Sequence, residues 1–283
     1  MNRSATRFAL AGLLVMTSAS LALAQSEDAL IKYFRKKNNI PPAATVTVTG
    51  LKDSTSFKGS KEGTLNVSGP QGNKATTFVA SPDLKFVVLG DILDTSVDPA
   101  KAVMAKINVA GEPFKGAKDA KVTIVEYSEF QCPYCKRGFD TIEQQVLKNY
   151  EGKVKFYFRQ FPLPFHPWAQ PGAIAAECAK AQKPEAFWKI YEEYFNHQAE
   201  VNPQNVKEKA QEYLKDTGID MAKWGTCYDN KETLPKVMAQ HAEGQSLGVT
   251  GTPAFFINGR MLVGAQPFEQ FKNVIDDELA SAK

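Results

Sequence analysis

At 283 residues, 43% apolar and 11% aromatic, the chain is long and apolar enough to fill more than one core. Its formal net charge of +3 falls to +1 without Arg3 and Arg7, because residues 1–24 hold no acidic side chain. A balance so close to neutral argues against a nucleic-acid partner, which would want a basic stripe.

The first segment reads as an address. Arg3 and Arg7 lead an apolar stretch from Phe8 to about Leu23, which ends in Ala22-Leu23-Ala24 before a polar run. That is the pattern of a secretory signal peptide cleaved after Ala24. An uncleaved membrane anchor is the alternative, weakened because Gly12, Thr17, Ser18 and Ser20 interrupt a stretch barely of span length. No later stretch approaches the ~20 apolar residues of a span, so the mature chain is expected outside the cytoplasm, where disulfides persist.

From Glu27 to Asn39, Leu30, Ile31 and Phe34 recur at helical spacing, and Ile40-Pro41-Pro42 cannot continue a helix. The period then changes to two over 45–49, 63–67, 75–80 and 85–93, with turn-forming clusters such as Gly69-Pro70-Gln71-Gly72-Asn73 between the runs. Residues 26–98 are therefore predicted to form a small α+β domain, one helix on an antiparallel sheet. They contain no cysteine or histidine and no convincing carboxylate pair, so no chemistry is assigned to them. Exposed sheet edges are commonly managed by pairing with a second copy, which makes a homodimer through 26–98 the expectation and a monomeric packing module the alternative. Residues 99–118, rich in Pro and Gly around a possible short helix, read as a linker.

Residues 119–283 begin with a β-branched strand over 121–127, a helix over 133–150 carrying Phe139, Ile142, Val146 and Leu147 on one face, and a strand over 153–161. Strand, crossover helix and strand make a right-handed βαβ unit. After Pro162, Pro164 and Pro167 the chain reads as helices over about 166–247, an insertion within the α/β domain. The sheet resumes at 252–264, where Asn258-Gly259 signals a tight hairpin, and an amphipathic helix over 267–280 closes the chain.

Between the first strand and its helix lies Cys132-Pro133-Tyr134-Cys135. Pro133 suits the first helical turn, where its missing N–H would have had no partner, and this puts Cys132 at the N-cap. Unpaired backbone N–H groups and the positive end of the helix dipole stabilise a thiolate there, the form that attacks a disulfide. Cys135, one turn on, is placed to resolve the mixed disulfide. Half a zinc site and an inert bridge are the other readings of the pair. Zinc would want a second close ligand pair, and the chain offers only Cys178, Cys227 and three scattered histidines, so no metal or cofactor is expected.

The order of elements, with Cys132-Pro133-Tyr134-Cys135 and the run from Gly248 to Gly259 that contains Thr252-Pro253, resembles the thioredoxin fold with a helical insertion. It is similar to the DsbA-like thiol:disulfide oxidoreductases over roughly residues 110–283. The resemblance implies that Cys132 is the substrate-linked cysteine, Cys135 the resolving one, and Thr252-Pro253 the facing loop with Pro253 in cis. It also implies that Glu126 is a buried acid near the cysteine pair, against which stands a solvated carboxylate at the strand end. Tyr134 stands where DsbA carries a histidine and brings no positive charge, so a less oxidising disulfide is expected. The Pro133-Tyr134 dipeptide resembles that of DsbG-type proteins, and residues 26–98 are similar in layout to the dimerisation domain of the DsbC and DsbG isomerases.

An even cysteine count in an oxidising compartment suggests a structural Cys178–Cys227 disulfide, with two separately buried thiols as the alternative. The expected partners are unfolded or misfolded exported proteins, held by apolar residues such as Phe130, Tyr134 and Phe165 with His166 nearby, and a membrane or periplasmic redox partner. Oxidase and dimeric isomerase or reductase with chaperone activity both remain open, as does a thiol-independent holdase.

Overall fold

The computed structural model describes residues 24–70 and 72–281, which divide into two compact units between Thr95 and Ser96. The signal-peptide reading covers residues 1–24, of which 1–23 lie outside the described residues.

In the first unit, helix α1 covers 24–37 and Leu30 faces the sheet core. The sheet is antiparallel in the order β1 (Thr45–Asp53), β2 (Lys61–Gly69), β3 (Gly72–Ala80), β4 (Val87–Leu89). Its register sets Val46 against Val67 and Val48 against Leu65. Period-two alternation thus gathers Val46, Leu65, Phe78 and Ala80 with Leu30 and Leu84 in one core. Gly63 lies opposite Phe78, and a Cβ there would come within 2.9 Å of the phenyl ring, so the glycine lets the ring cover the strand. The fourth strand is shorter than the 85–93 run suggests. Only Val87–Leu89 pair with β3 as a strand, Gly90 at φ 142° is still held there by its N–H to the Thr77 carbonyl, and Phe86, Val88 and Leu93 stand exposed.

The second unit carries a five-stranded sheet in the order β5-β7-β6-β8-β9. Here β5 is Lys115–Gly116, β6 Val122–Ser128, β7 Val154–Gln160, β8 Ala254–Ile257 and β9 Arg260–Val263. β6 and β7 are parallel, and the other pairs are antiparallel. Residues 99–118, read as a linker, are instead built into this unit. They form α2 (Pro99–Met104), capped by the Asp98 side chain, and β5, and they bury Ile107 beside Val125 and Tyr157. The backbone of α2 lies so close to the β8–β9 turn that a Cβ on Gly259 would meet the Ala100 carbonyl oxygen at 1.9 Å. Asn258 and Gly259, at φ 47° and 95°, form the tight turn that their sequence announces.

The crossover helix α3 runs from Pro133 to Asn149, with a π-helical stretch at Ile142–Val146. The insertion supplies α4 (Ala169–Lys180), α5 (Pro184–Asn196), α6 (Val206–Leu214), α7 (Met221–Asp229) and α8 (Leu234–Ser246), and α9 (Phe268–Ser281) closes the unit. Small side chains make α4 the hub: Ala169, Ala173, Ala175, Ala176 and Ala179 are all buried. Cys178 in α4 is disulfide-bonded to Cys227 in α7, and the Trp224 indole donates to the Ala175 carbonyl at 3.0 Å. The separately buried thiols are thereby excluded.

Candidate active site

The site forms where β6 runs into α3. Strand β6 is central and buried, because both its neighbours and both sheet faces are covered. Its last residues and the following turn therefore hold Glu126, Ser128, Glu129 and Phe130 out of solvent. Cys132 occupies the N-cap of α3 in an extended conformation, with Pro133 at the first helical position. Its Sγ lies 3.6 Å from the Thr252 carbonyl oxygen, and the Thr252-Pro253 bond is cis. Cys132 and Cys135 are both free thiols, the first 3% exposed and the second fully enclosed.

The two thiols are driven in opposite directions. Cys132 is lowered from its ordinary value to about 5, first by the Cys135 thiol and then by the Cys135 backbone N–H, the Thr252 hydroxyl and the Tyr134 N–H. The Thr252 hydroxyl is buried with no other hydrogen-bond partner, so the sulfur is the group it can serve. Burial pushes Cys135 well above its ordinary value, and the neighbouring Cys132 and Glu126 charges add to that.

Glu126 sits beneath Cys135 and is entirely buried, which removes the reading of a solvated strand-end carboxylate. In register it lies between Phe158 of β7 and Phe255 of β8. Neither carboxyl oxygen has a partner at hydrogen-bonding geometry, although the Ser128 hydroxyl is near enough to oppose the shift. Burial raises this acid to about 8. Gly138 lets α3 close over the group, since a Cβ there would lie 3.3 Å from the Pro253 ring and 3.5 Å from Glu126 Oε1.

The residues expected to hold substrate divide. Tyr134 and Phe165 are 58% and 70% exposed and flank the site as surface groups. Phe130 is a correction: it is fully buried, stacked on Phe158 and packed against Tyr194 and Phe195, so it shapes the core rather than the surface.

Sequence reading passed over a second buried acid. Glu129 is hydrogen-bonded to His166 Nδ1 and accepts the Gln131 N–H, and burial raises it to about 7. Two glutamines tie the turn to the insertion. Gln198 donates to the carbonyls of Phe130 and Cys132 at 2.7 and 3.0 Å, and Gln131 Oε1 accepts the Trp168 N–H at 2.7 Å. Glu129 carried a signal, a carboxylate three residues ahead of a nucleophile. Gln198 carried none.

A thioredoxin fold interrupted by helices, with a Cys-X-X-Cys pair at a helix start opposite a cis-proline, defines the DsbA-like class. The chain belongs to the thioredoxin family, whose model, described as Thioredoxin, matches residues 108–277. It is 31% identical over 170 residues to a protein named probable disulfide bond formation protein D of Bacillus anthracis, covering 58% of this chain and 76% of that one. It is 30% identical over 183 residues to Na(+)/H(+) antiporter NhaA 3 of Salinispora tropica, a match that covers 64% of this chain and 27% of the antiporter. The chain thus spans about a quarter of that relative's length, and among the described residues no helix is long and apolar enough to cross a membrane. The oxidised BdbD structure from Bacillus subtilis superposes with a TM-score of 0.55 at 23% identity, covering 61% of this chain and 95% of that one.

Proposed function

We propose that the protein is a thiol:disulfide oxidoreductase that forms or rearranges disulfides in exported proteins through Cys132 and Cys135. The observation that carries this reading is the placement of two adjacent free thiols: Cys132 at the helix N-cap, its Sγ 3.6 Å from the Thr252 carbonyl oxygen of a cis Thr252-Pro253 bond, and Cys135 enclosed behind it beside Glu126. When the pair is reduced, the Cys132 thiolate attacks a substrate disulfide and forms the mixed disulfide. Cys135 then gives up its proton, for which Glu126 in its ionised form is the adjacent acceptor, attacks Cys132 Sγ and releases the substrate as a thiolate. In the oxidising direction a substrate thiolate attacks Cys132 Sγ, and Cys135 leaves as a thiolate. Glu126, protonated below about 8, supplies the proton that this buried sulfur takes up. Thr252 and Pro253 lie opposite Cys132, where an extended substrate strand would pair.

The periplasm is the expected location, on the strength of the N-terminal address and the Cys178–Cys227 disulfide. A redox partner of membrane or periplasm would reset the cysteine pair. A homodimer through residues 26–98 is supported by the short edge strand β4, which leaves Phe86, Val88 and Leu93 exposed. Two joined active sites favour isomerisation over simple oxidation.

The deciding experiment follows two substrates in glutathione buffer: reduced protein for oxidation and scrambled-disulfide protein for reactivation. The mature chain should turn over at least one, and the Cys132→Ser/Cys135→Ser variant neither. Full activity in that variant would establish a thiol-independent holdase instead. The reduction potential is expected below the ~−120 mV of DsbA, because Tyr134 lends the thiolate no charge.

A further inference from the structure

The Glu129–His166 pair has no part in the exchange just described, which needs Glu126 alone. Glu129 is fully buried at the turn that leads into Cys132, and its two carboxyl oxygens are engaged by the Gln131 N–H and by His166 Nδ1. His166 is partly exposed, its ring against the exposed Phe165 at 4.7 Å, and among the described residues its hydrogen bond runs through Nδ1. The loop bearing His166 is joined a second time to the turn bearing Cys132, through the Trp168 N–H and Gln131 Oε1. An imidazole is thereby fixed against the turn that leads into Cys132, with Nδ1 committed to a buried carboxyl.

An exchange at Cys132 expels the second sulfur of the substrate disulfide. An alkyl thiol has an ordinary pKa near ~8.5, so its thiolate leaves more slowly than that of an acidic thiol, and a proton donor beside it speeds the departure. Glu126 cannot serve it, being enclosed behind Cys135. We propose that the Glu129–His166 pair holds the proton for this departing sulfur, with His166 as the general acid of the substrate-side step. The inference rests on the oxidoreductase reading. The Cys132 thiolate forms a bond to one substrate sulfur, the substrate S–S bond breaks, and the leaving sulfur takes the electron pair together with the proton on His166 Nε2. The carboxylate of Glu129 fixes the ring through Nδ1, and solvent returns the proton. Burial raises Glu129 above its ordinary value, which favours a proton held at this carboxyl.

The test uses the full mature chain with Cys135→Ala, so that the reaction stops at the mixed disulfide. Rate constants are measured for oxidised glutathione, whose weakly acidic leaving thiol gains from a proton donor, and for an aromatic nitrobenzoate disulfide, whose strongly acidic leaving thiol does not. The ratio of the first to the second should fall about tenfold or more in His166→Gln, and should fall also in Glu129→Gln. In the background protein the same ratio should decline as pH rises past neutrality, and that decline should vanish in His166→Gln. Glu126, Thr252 and residue 135 also face Cys132, but they act on the attacking sulfur and cancel in the ratio. An unchanged ratio in His166→Gln overturns the proposal. If that variant does not fold by circular dichroism, a ratio that does not vary with pH in the background protein overturns it equally. Reaction of the background protein with neither disulfide would overturn the oxidoreductase reading itself.

Discussion

Glu126 and Glu129 stand three residues apart beside the reactive pair, and both are fully buried carboxyls. For Glu126 the cost has a definite sign. Below its ordinary value of 4.5 both folded and unfolded chains hold the proton. Between 4.5 and about 8 only the folded chain does, so stability falls as pH rises through that window and levels off above it. Glu126→Gln abolishes the loss. Denaturant unfolding at pH 5 and pH 9 should show the variant gaining on the parent by on the order of 4 kcal/mol at the higher pH. An equal gap at both pH values would mean that the carboxyl is not desolvated. The positions of Cys132, Pro133 and Cys135 at a helix start were legible because a Pro at N1 is a local signal. Glu129 with His166, and Gln198 with the Cys132 carbonyl, were not, since each pairing joins residues 37 or more apart and depends on how the insertion returns.

At the scale of elements, two helices start on capping side chains. Asp220 accepts the N–H groups of Ala222 and Lys223 at the start of α7, and Asp98 does the same for α2. The β4 run misled because apolar β-branched residues read alike whether a strand buries them or leaves them exposed. The π-helical stretch in α3 had no sequence mark. The α4–α7 disulfide closes a loop spanning 49 positions. Its removal in Cys178→Ala/Cys227→Ala should lower unfolding stability by about 3 to 4 kcal/mol, read from the guanidinium midpoint. A midpoint within error of the parent would mean that the insertion is held by packing alone, chiefly Trp224 and the alanine face of α4.

At the scale of the molecule, the two units divide the labour. One carries cysteines and buried acids, and the other has neither cysteine nor histidine but an apolar edge. Sedimentation of the mature chain at micromolar concentration should give a dimer, and Phe86→Glu/Leu93→Glu should give a monomer with Cys132 as reactive toward small disulfides as before. A parent that sediments as a monomer would remove the isomerase reading while leaving the oxidase one.

The Gln198 side chain has a mechanical consequence. Its amide grips the backbone on both sides of Gln131, at the carbonyls of Phe130 and Cys132, from the far end of α5. The insertion is therefore a lever whose short arm ends on the nucleophile's own peptide group. Strain applied at the turn after α5 has a direct route, through one amide, to the peptide group that carries the sulfur.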